Sequence, residues 1–234
     1  VDVEVKHCDV CDSVVKGKFP QNMPGPLQYG NGIKAYVINL LVCQMVALKR
    51  AQKLIHAMVG SMISEATFLK YILQLYIALE AWEVKSTNEL LKSPYLHLDE
   101  TSLRVDKKKH WVHVYAAGEI TLKFLHPKRG LEAMNAINIL PRYGGIAIHD
   151  CWASYLSYGG CDHALCGSHL TRELTAIIES NGYHWAANMK KLLLETCKKV
   201  SRRTRKKLTQ KEYAALQKRY RNILTRGKKE LPEI

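Results

Sequence analysis

Two aspartates each close an apolar, strand-like run. Asp99 ends Tyr95-Leu-His-Leu-Asp99, and Asp150 ends Gly145-Ile-Ala-Ile-His-Asp150. An acidic residue at the end of a stiff, buried strand leaves the core where the backbone meets solvent, so carboxylates from neighbouring strands can converge on one cation. Their oxygens suit hard Mg²⁺ or Mn²⁺ better than thiolates do. Together with a basic chain, such a pair points to phosphodiester chemistry on nucleic acid.

The elements that must carry these acids follow from periodicity. From Pro94 apolar residues alternate with a period of two, which predicts a strand over Tyr95–Leu98. Two more strands, Trp111–Ala117 and Ile120–His126, flank a hairpin signal at Ala117-Gly118-Glu119. A short helix over Leu131–Ile137 and a buried strand over Ile146–Ile148 complete a βββαβ order, with His163–Cys166 as a fifth short strand. Three antiparallel strands, a helix and a fourth strand parallel to the first is the order of an RNase H-like α/β mixed sheet. The first and fourth strands are neighbours there, which would set Asp99 beside Asp150. Two metal ions ~4 Å apart could then share a carboxylate in an in-line displacement.

Around this core, residues 1–30 read as a partial zinc-binding segment and a linker rich in Pro and Gly. Residues 31–92 read as helical: Ile33–Met58, a break at Gly60-Ser61, and a second helix from Ser64 to about Glu83. A DNA-reading helix-turn-helix and a helical hairpin packed on the core share that signature. The incomplete catalytic core spans 93–182. It includes a helix over Ser168–Ser180, and residues 183–234 form a basic helical insertion.

Charge is concentrated in that last segment. Of a formal +14, residues 186–234 carry 16 Lys and Arg against four Glu, leaving the rest nearly neutral. Clustered cations favour a polyanion through counterion release, although a solvated basic face has the same composition. Seven scattered cysteines argue against a disulfide framework and for a reducing cytoplasm. The longest apolar stretch, Ile33–Leu48, is interrupted by Lys34, Asn39 and Gln44 and is too short to span a bilayer, so no membrane partner is expected. A start at Val1 and an uncapped end suggest a piece of a longer reading frame.

Several spaced segments carry a resemblance. Leu98-Asp-Glu-Thr-Ser-Leu-Arg-Val-Asp106, Trp111-Val-His-Val114, His126-Pro-Lys-Arg-Gly130, Ile139-Leu-Pro141, His149-Asp-Cys-Trp-Ala-Ser-Tyr155 and His163-Ala-Leu-Cys-Gly-Ser-His-Leu-Thr-Arg-Glu-Leu174 resemble the transposases of the insertion sequence 66 family. The similarity runs from about Cys8 through the basic region. It implies a DDE-type transposase of a bacterial insertion sequence that cleaves and transfers DNA strands, with Mg²⁺ or Mn²⁺ as cofactor and Asp99 and Asp150 as the first two catalytic acids. It also implies double-stranded DNA partners, transposon ends and target, a homo-oligomer on DNA, and a place in the cytoplasm at the nucleoid.

The family's third acid lies in an Asn-Asn-x-x-Glu-Arg stretch that does not occur before Ile234. Glu173 is the best-placed internal substitute, with a plain helix-surface role as its alternative. A catalytically inactive, DNA-binding remnant is therefore the alternative function. Cys8 and Cys11 supply two of four tetrahedral Zn²⁺ ligands, and the resemblance implies an earlier pair upstream. Cys166 and His169 resemble a Cys-x-x-His feature of several transposase groups. They could form half a Zn²⁺ site, with Cys161 or His163, or be a buried thiol and a helix-capping or DNA-contacting imidazole. Arg104, Lys107, Lys108, Lys109, Lys128 and Arg129 are expected on loops near the strand ends. Arg104, Lys128 and Arg129, with Arg202, Arg203, Arg205, Lys206 and Lys207 of the insertion, are the candidate DNA contacts. Trp111, Trp152 and Tyr155 could wall the groove, with core packing as the plainer role.

Overall fold

The computed structural model describes residues 3–19 and 29–231. The chain divides into two compact units, Val1–Trp82 and Glu83–Ile234. Part of the linker expected within residues 1–30 lies outside the described residues.

The first unit opens with a small antiparallel hairpin, β1 (Val5–His7) and β2 (Val14–Lys16). Helix α1 (Asn31–Ile38) runs into a π-turn over Asn39–Cys43, followed by α2 (Leu48–Val59) and α3 (Glu65–Ala78). The single helix expected over Ile33–Met58 is thus two. Met45 takes a left-handed conformation at φ +52° and Ala47 is extended, so the second helix restarts at Leu48. No Gly or Pro marks that break, and apolar spacing continues across it. The next break follows sequence logic: Gly60 caps α2 at φ +71°, and the Ser64 hydroxyl accepts from the Thr67 N–H to start α3. Val37, Leu40, Ala51, Ile55, Ile63, Phe68 and Tyr71 form the buried cluster of this unit. Helix α4 (Glu80–Lys92), unforeseen in the sequence beyond Glu83, leads to the second unit.

That unit is a mixed α/β structure built on five strands, β3 (Tyr95–Val105), β4 (Lys108–Ala117), β5 (Ile120–His126), β6 (Ile146–His149) and β7 (Asp162–Leu165). Their spatial order is β5-β4-β3-β6-β7, antiparallel from β5 to β3 and parallel from β3 to β7. Helix α5 (Leu131–Ile137) crosses from β5 to β6. Leu96, Leu98, Tyr115, Leu122, Met134, Ile139, Leu140 and Ala147 share one buried cluster, so one face of the sheet packs under α5 and the turn after it. Helices α6 (Gly167–Asn181), α7 (His184–Ser201) and α8 (Gln210–Glu230) follow, with Leu174, Ala186, Met189 and Leu192 buried among them.

Two expectations about the strands change. β3 does not stop near Leu98 but continues to Val105, and β4 begins at Lys108 rather than Trp111. A two-residue turn joins them, with Asp106 at φ +48° and Lys107 at φ +65°. Primed hairpin turns need positive φ at both central residues, and Asp-Lys lacks the glycine that usually announces them. Arg104, Lys108 and Lys109 accordingly lie in strands and not in loops.

Gly145 admits β6 to its place beside β3. A Cβ there would sit 2.8 Å from the Tyr143 ring and 3.0 Å from the Pro94 carbonyl oxygen, while the Tyr143 hydroxyl donates to the Ser93 carbonyl. Gly145→Ala is expected to lower stability by about 1–3 kcal/mol through overpacking, read as a fall in the thermal midpoint. An unchanged midpoint would show that β6 can shift without cost.

Candidate functional site

Register brings the two aspartates together along the sheet. β3 pairs with β6 through Tyr95↔Ile146, Leu96↔Ala147 and His97↔Ile148. The same offset carried past the last pair sets Asp99 next to Asp150. Asp150 follows the last residue of β6, as expected, whereas Asp99 lies in mid-strand. It occupies the point where β3 outruns β6, so its open edge comes from the shortness of its neighbour and not from its own strand ending.

The side chains are held differently. Asp99 Oδ1 accepts from the Glu100 N–H at 2.9 Å, and its charge helps raise the His169 imidazole above its ordinary range, after the larger effect of the adjoining Cys166. Asp150 Oδ1 accepts from the Trp152 N–H at 2.9 Å, and Oδ2 lies 3.7 Å from Arg129 Nη2. Glu100, the residue after Asp99, is the component that sequence reasoning missed. Its side chain is 1% exposed, ion-paired to Arg129 and hydrogen-bonded by the Tyr155 hydroxyl. Alternation along β3 contains the signal: Leu96 and Leu98 face the core, so Glu100 must follow them. Burial, then this bond to Glu100, pushes the Tyr155 phenol far up.

Behind Asp150 the buried His149 stacks on Tyr155, and its Nε2 lies 2.9 Å from His163 Nδ1. Burial holds His149 below its ordinary value. His163 is thereby committed to His149 and to the Tyr158 carbonyl, 2.8 Å from its Nε2. Cys166 precedes α6, and burial alone would raise its thiol. The His169 and Ser168 backbone amides and the His169 ring outweigh that effect and hold it below its ordinary value. Glu173, on α6, lies near enough to Cys151 for its charge to add to the rise that burial causes in that thiol.

Among the described residues, no three His, Cys, Asp or Glu side chains converge to hold a metal ion. Glu173 is therefore not gathered with Asp99 and Asp150 into a three-ligand set, nor are Cys166 and His169 with Cys161 or His163. Cys8 and Cys11 sit in the β1–β2 turn, where the Ser13 hydroxyl and then its backbone lower the Cys11 thiol. That turn holds two thiols. The residues present do fit a hard divalent cation in part, as two carboxylates at neighbouring sheet positions.

The expected DNA contacts divide. Arg104 is exposed near the tip of β3. Lys128 is exposed, with its carbonyl 3.2 Å from His113 Nε2 and its N–H donating to His126 Nδ1. Arg129 is not a free loop cation, since Glu100 takes its charge and the Trp152 ring centroid lies 4.0 Å from it. Trp152 thus serves both packing and this guanidinium. Arg202, Arg205, Lys206 and Lys207 are exposed between α7 and α8, with Lys206 donating to the Ser201 carbonyl. Arg203 instead clamps Glu212 through its two terminal guanidinium nitrogens, and Lys199 joins at 2.8 Å. The same carboxylate closes the Thr209 capping box of α8.

Among the described residues, no helix is long and apolar enough to cross a membrane.

Arg203 and Lys199 hold Glu212 well below the usual carboxylate range. A depressed acid contributes its stability above its unfolded value of about 4.3, and that contribution drains as pH falls further. Hydrogen exchange across residues 202–212 should therefore quicken as pH drops below about 4, once corrected for intrinsic rates. Glu212→Gln should show the faster exchange already at neutral pH and a flatter pH dependence.

The profile of the Transposase IS66 family matches residues 26–233, which includes both aspartates, the whole five-stranded sheet and the basic helices. The match begins after the Cys8–Cys11 turn, so the zinc-type segment lies outside it. No curated protein matches the chain. With most of its length matched, the chain belongs to the Transposase IS66 family.

Proposed function

We propose that this chain is the DNA strand-cleaving and strand-transferring enzyme of a bacterial insertion sequence, with Asp99 and Asp150 at its reacting centre. The observation that supports the proposal is the parallel register of β3 and β6, whose offset, continued two residues past the last pair, would set those two acids at neighbouring sheet positions within a family-matched core. The sheet order β5-β4-β3-β6-β7, with first and fourth strands adjacent, supports an RNase H-like identity for that core.

In this reading Asp99 and Asp150 present hard oxygens to Mg²⁺ or Mn²⁺. When bound, such a cation supplies Lewis acidity and charge neutralisation for in-line phosphoryl displacement. Water first breaks a phosphodiester at each element end and leaves a 3′-hydroxyl and a 5′-phosphate. The 3′-hydroxyl then attacks a target phosphodiester, so one P–O bond forms as another breaks and no covalent enzyme intermediate is needed. The protein's own task is to position DNA. Arg104, Lys128, Arg202, Arg205, Lys206 and Lys207 are exposed cations suited to backbone phosphates, and α7 and α8 carry further cations. Pairing of two element ends by two copies of the chain belongs to the same proposal.

One observation favours a second reading. Among the described residues no third acid joins the pair, which suits a DNA-binding remnant that grips without cutting. Labelled element ends separate the two. The transposase reading predicts Mg²⁺-dependent nicks that fall by about a hundredfold or more in Asp99→Asn and in Asp150→Asn, since even outer-shell partners of a metal are worth 10–100-fold. Nicking that survives either substitution would remove the proposed role of that acid. Retarded DNA whose affinity falls steeply with salt, without any metal-dependent product, would establish the remnant.

A further inference from the structure

Glu100 is a buried carboxylate that the proposed metal chemistry does not employ. It follows Asp99 directly, so strand alternation turns it to the core side, where a lone carboxylate would be costly. Arg129 answers it: Nε donates to Oε1 at 2.7 Å, and Nη2 lies 2.5 Å from the same oxygen. The Tyr155 hydroxyl donates to Oε2. The guanidinium itself is wedged between aromatic faces, 4.0 Å from the Trp152 ring centroid and 5.0 Å from that of Trp111. The backbone just before it is tied to two histidines, His113 and His126, through the Lys128 carbonyl and N–H. These contacts leave the side chain little freedom, and the nitrogen that pairs with Glu100 is also 3.7 Å from Asp150 Oδ2.

We propose that Arg129, locked by Glu100 and the two indoles, is a positioning residue that aims the Asp150 carboxylate and sets by its charge how tightly the acid pair takes a divalent cation. The inference rests on the metal-binding reading of Asp99 and Asp150 and deepens it. Glu100 is the counterweight. With its charge in place the guanidinium is largely neutralised and Asp150 stays available. Without that charge Arg129 becomes an uncompensated cation beside Asp150, pairs with it more closely and repels a metal ion. Removing Arg129 does the reverse for affinity, because the negative charge of Glu100 then adds to the field, but it frees Asp150 to turn.

The test is Mn²⁺ binding to the full chain, followed by electron paramagnetic resonance, together with nicking of labelled element ends. Glu100→Gln should weaken Mn²⁺ about tenfold, and Arg129→Gln should tighten it several-fold while slowing nicking. Glu100→Gln/Arg129→Gln, which removes both charges together, should return affinity to within about twofold of the parent. A merely structural cluster would lower thermal midpoints without this ordering by charge. Should Arg129→Gln fail to fold around its unpaired carboxylate, the Glu100→Gln and double variants still separate the two outcomes. Equal Mn²⁺ affinity in those two variants and the parent overturns the proposal alone, provided Asp99→Asn and Asp150→Asn lose binding. Undiminished Mn²⁺ binding in the two aspartate variants overturns the clamp and the underlying reading together.

Discussion

Everything proposed for this protein depends on the parallel ladder between β3 and β6. Three residue pairs, Tyr95↔Ile146 to His97↔Ile148, fix an offset that, carried two residues further, aligns Asp99 with Asp150. A slip by one residue would reverse which side chains of β6 face the core, burying Ile148 in place of Ala147 and His149. Burial enforces the register. Leu96 and Ala147 are fully buried on one face, and Gly145 lets the chain pass under Tyr143 and Pro94 to enter the ladder at the right height. The alignment of the two acids thus rests largely on apolar and glycine residues of the ladder.

The length difference between the two strands matters as much as their pairing. β6 ends at His149, whereas β3 continues six residues beyond Asp99 and stays paired with β4. That rigid extension carries Glu100, and through it Arg129, Tyr155 and the indole faces, to the same end of the sheet. A carboxylate at a free strand end would have had only its own turn for support. Here it lies against a continuous ladder on one side and beside an ion pair whose carboxylate is buried, the kind of support that keeps a site's geometry narrow.

How far this was legible depended on the element. α5, over Leu131–Ile137, and the hairpin at Gly118-Glu119 were readable because a short apolar helix and a positive-φ glycine announce themselves. β3 was cut short because the mostly polar run from Asp99 to Arg104 hides an edge-exposed stretch whose strand character comes from pairing with β4, and because Asp106-Lys107 turns without glycine. The break near Met45 was invisible since apolar spacing persists through it. At the site, the two aspartates stood out by type, but Glu100 did not. It drew no role from the sequence, and Arg129 stood as a candidate DNA contact, because a pairing across 29 residues leaves no local trace. Arg203 was read as a DNA contact for the same reason, while its carboxylate partner Glu212 lies nine residues on.

Whether a cation settles between positions 99 and 150 can be mapped on the polypeptide itself. Iron(II) supplied in place of Mg²⁺, with ascorbate and peroxide, generates oxidant where it binds and cuts the chain nearest to it, so the fragments locate any such site directly. Two cut clusters are predicted, one around Asp99–Glu100 and one around Asp150–Cys151, both suppressed by excess Mg²⁺. Cuts confined to other segments, or none that Mg²⁺ suppresses, would contradict a cation site between the two aspartates.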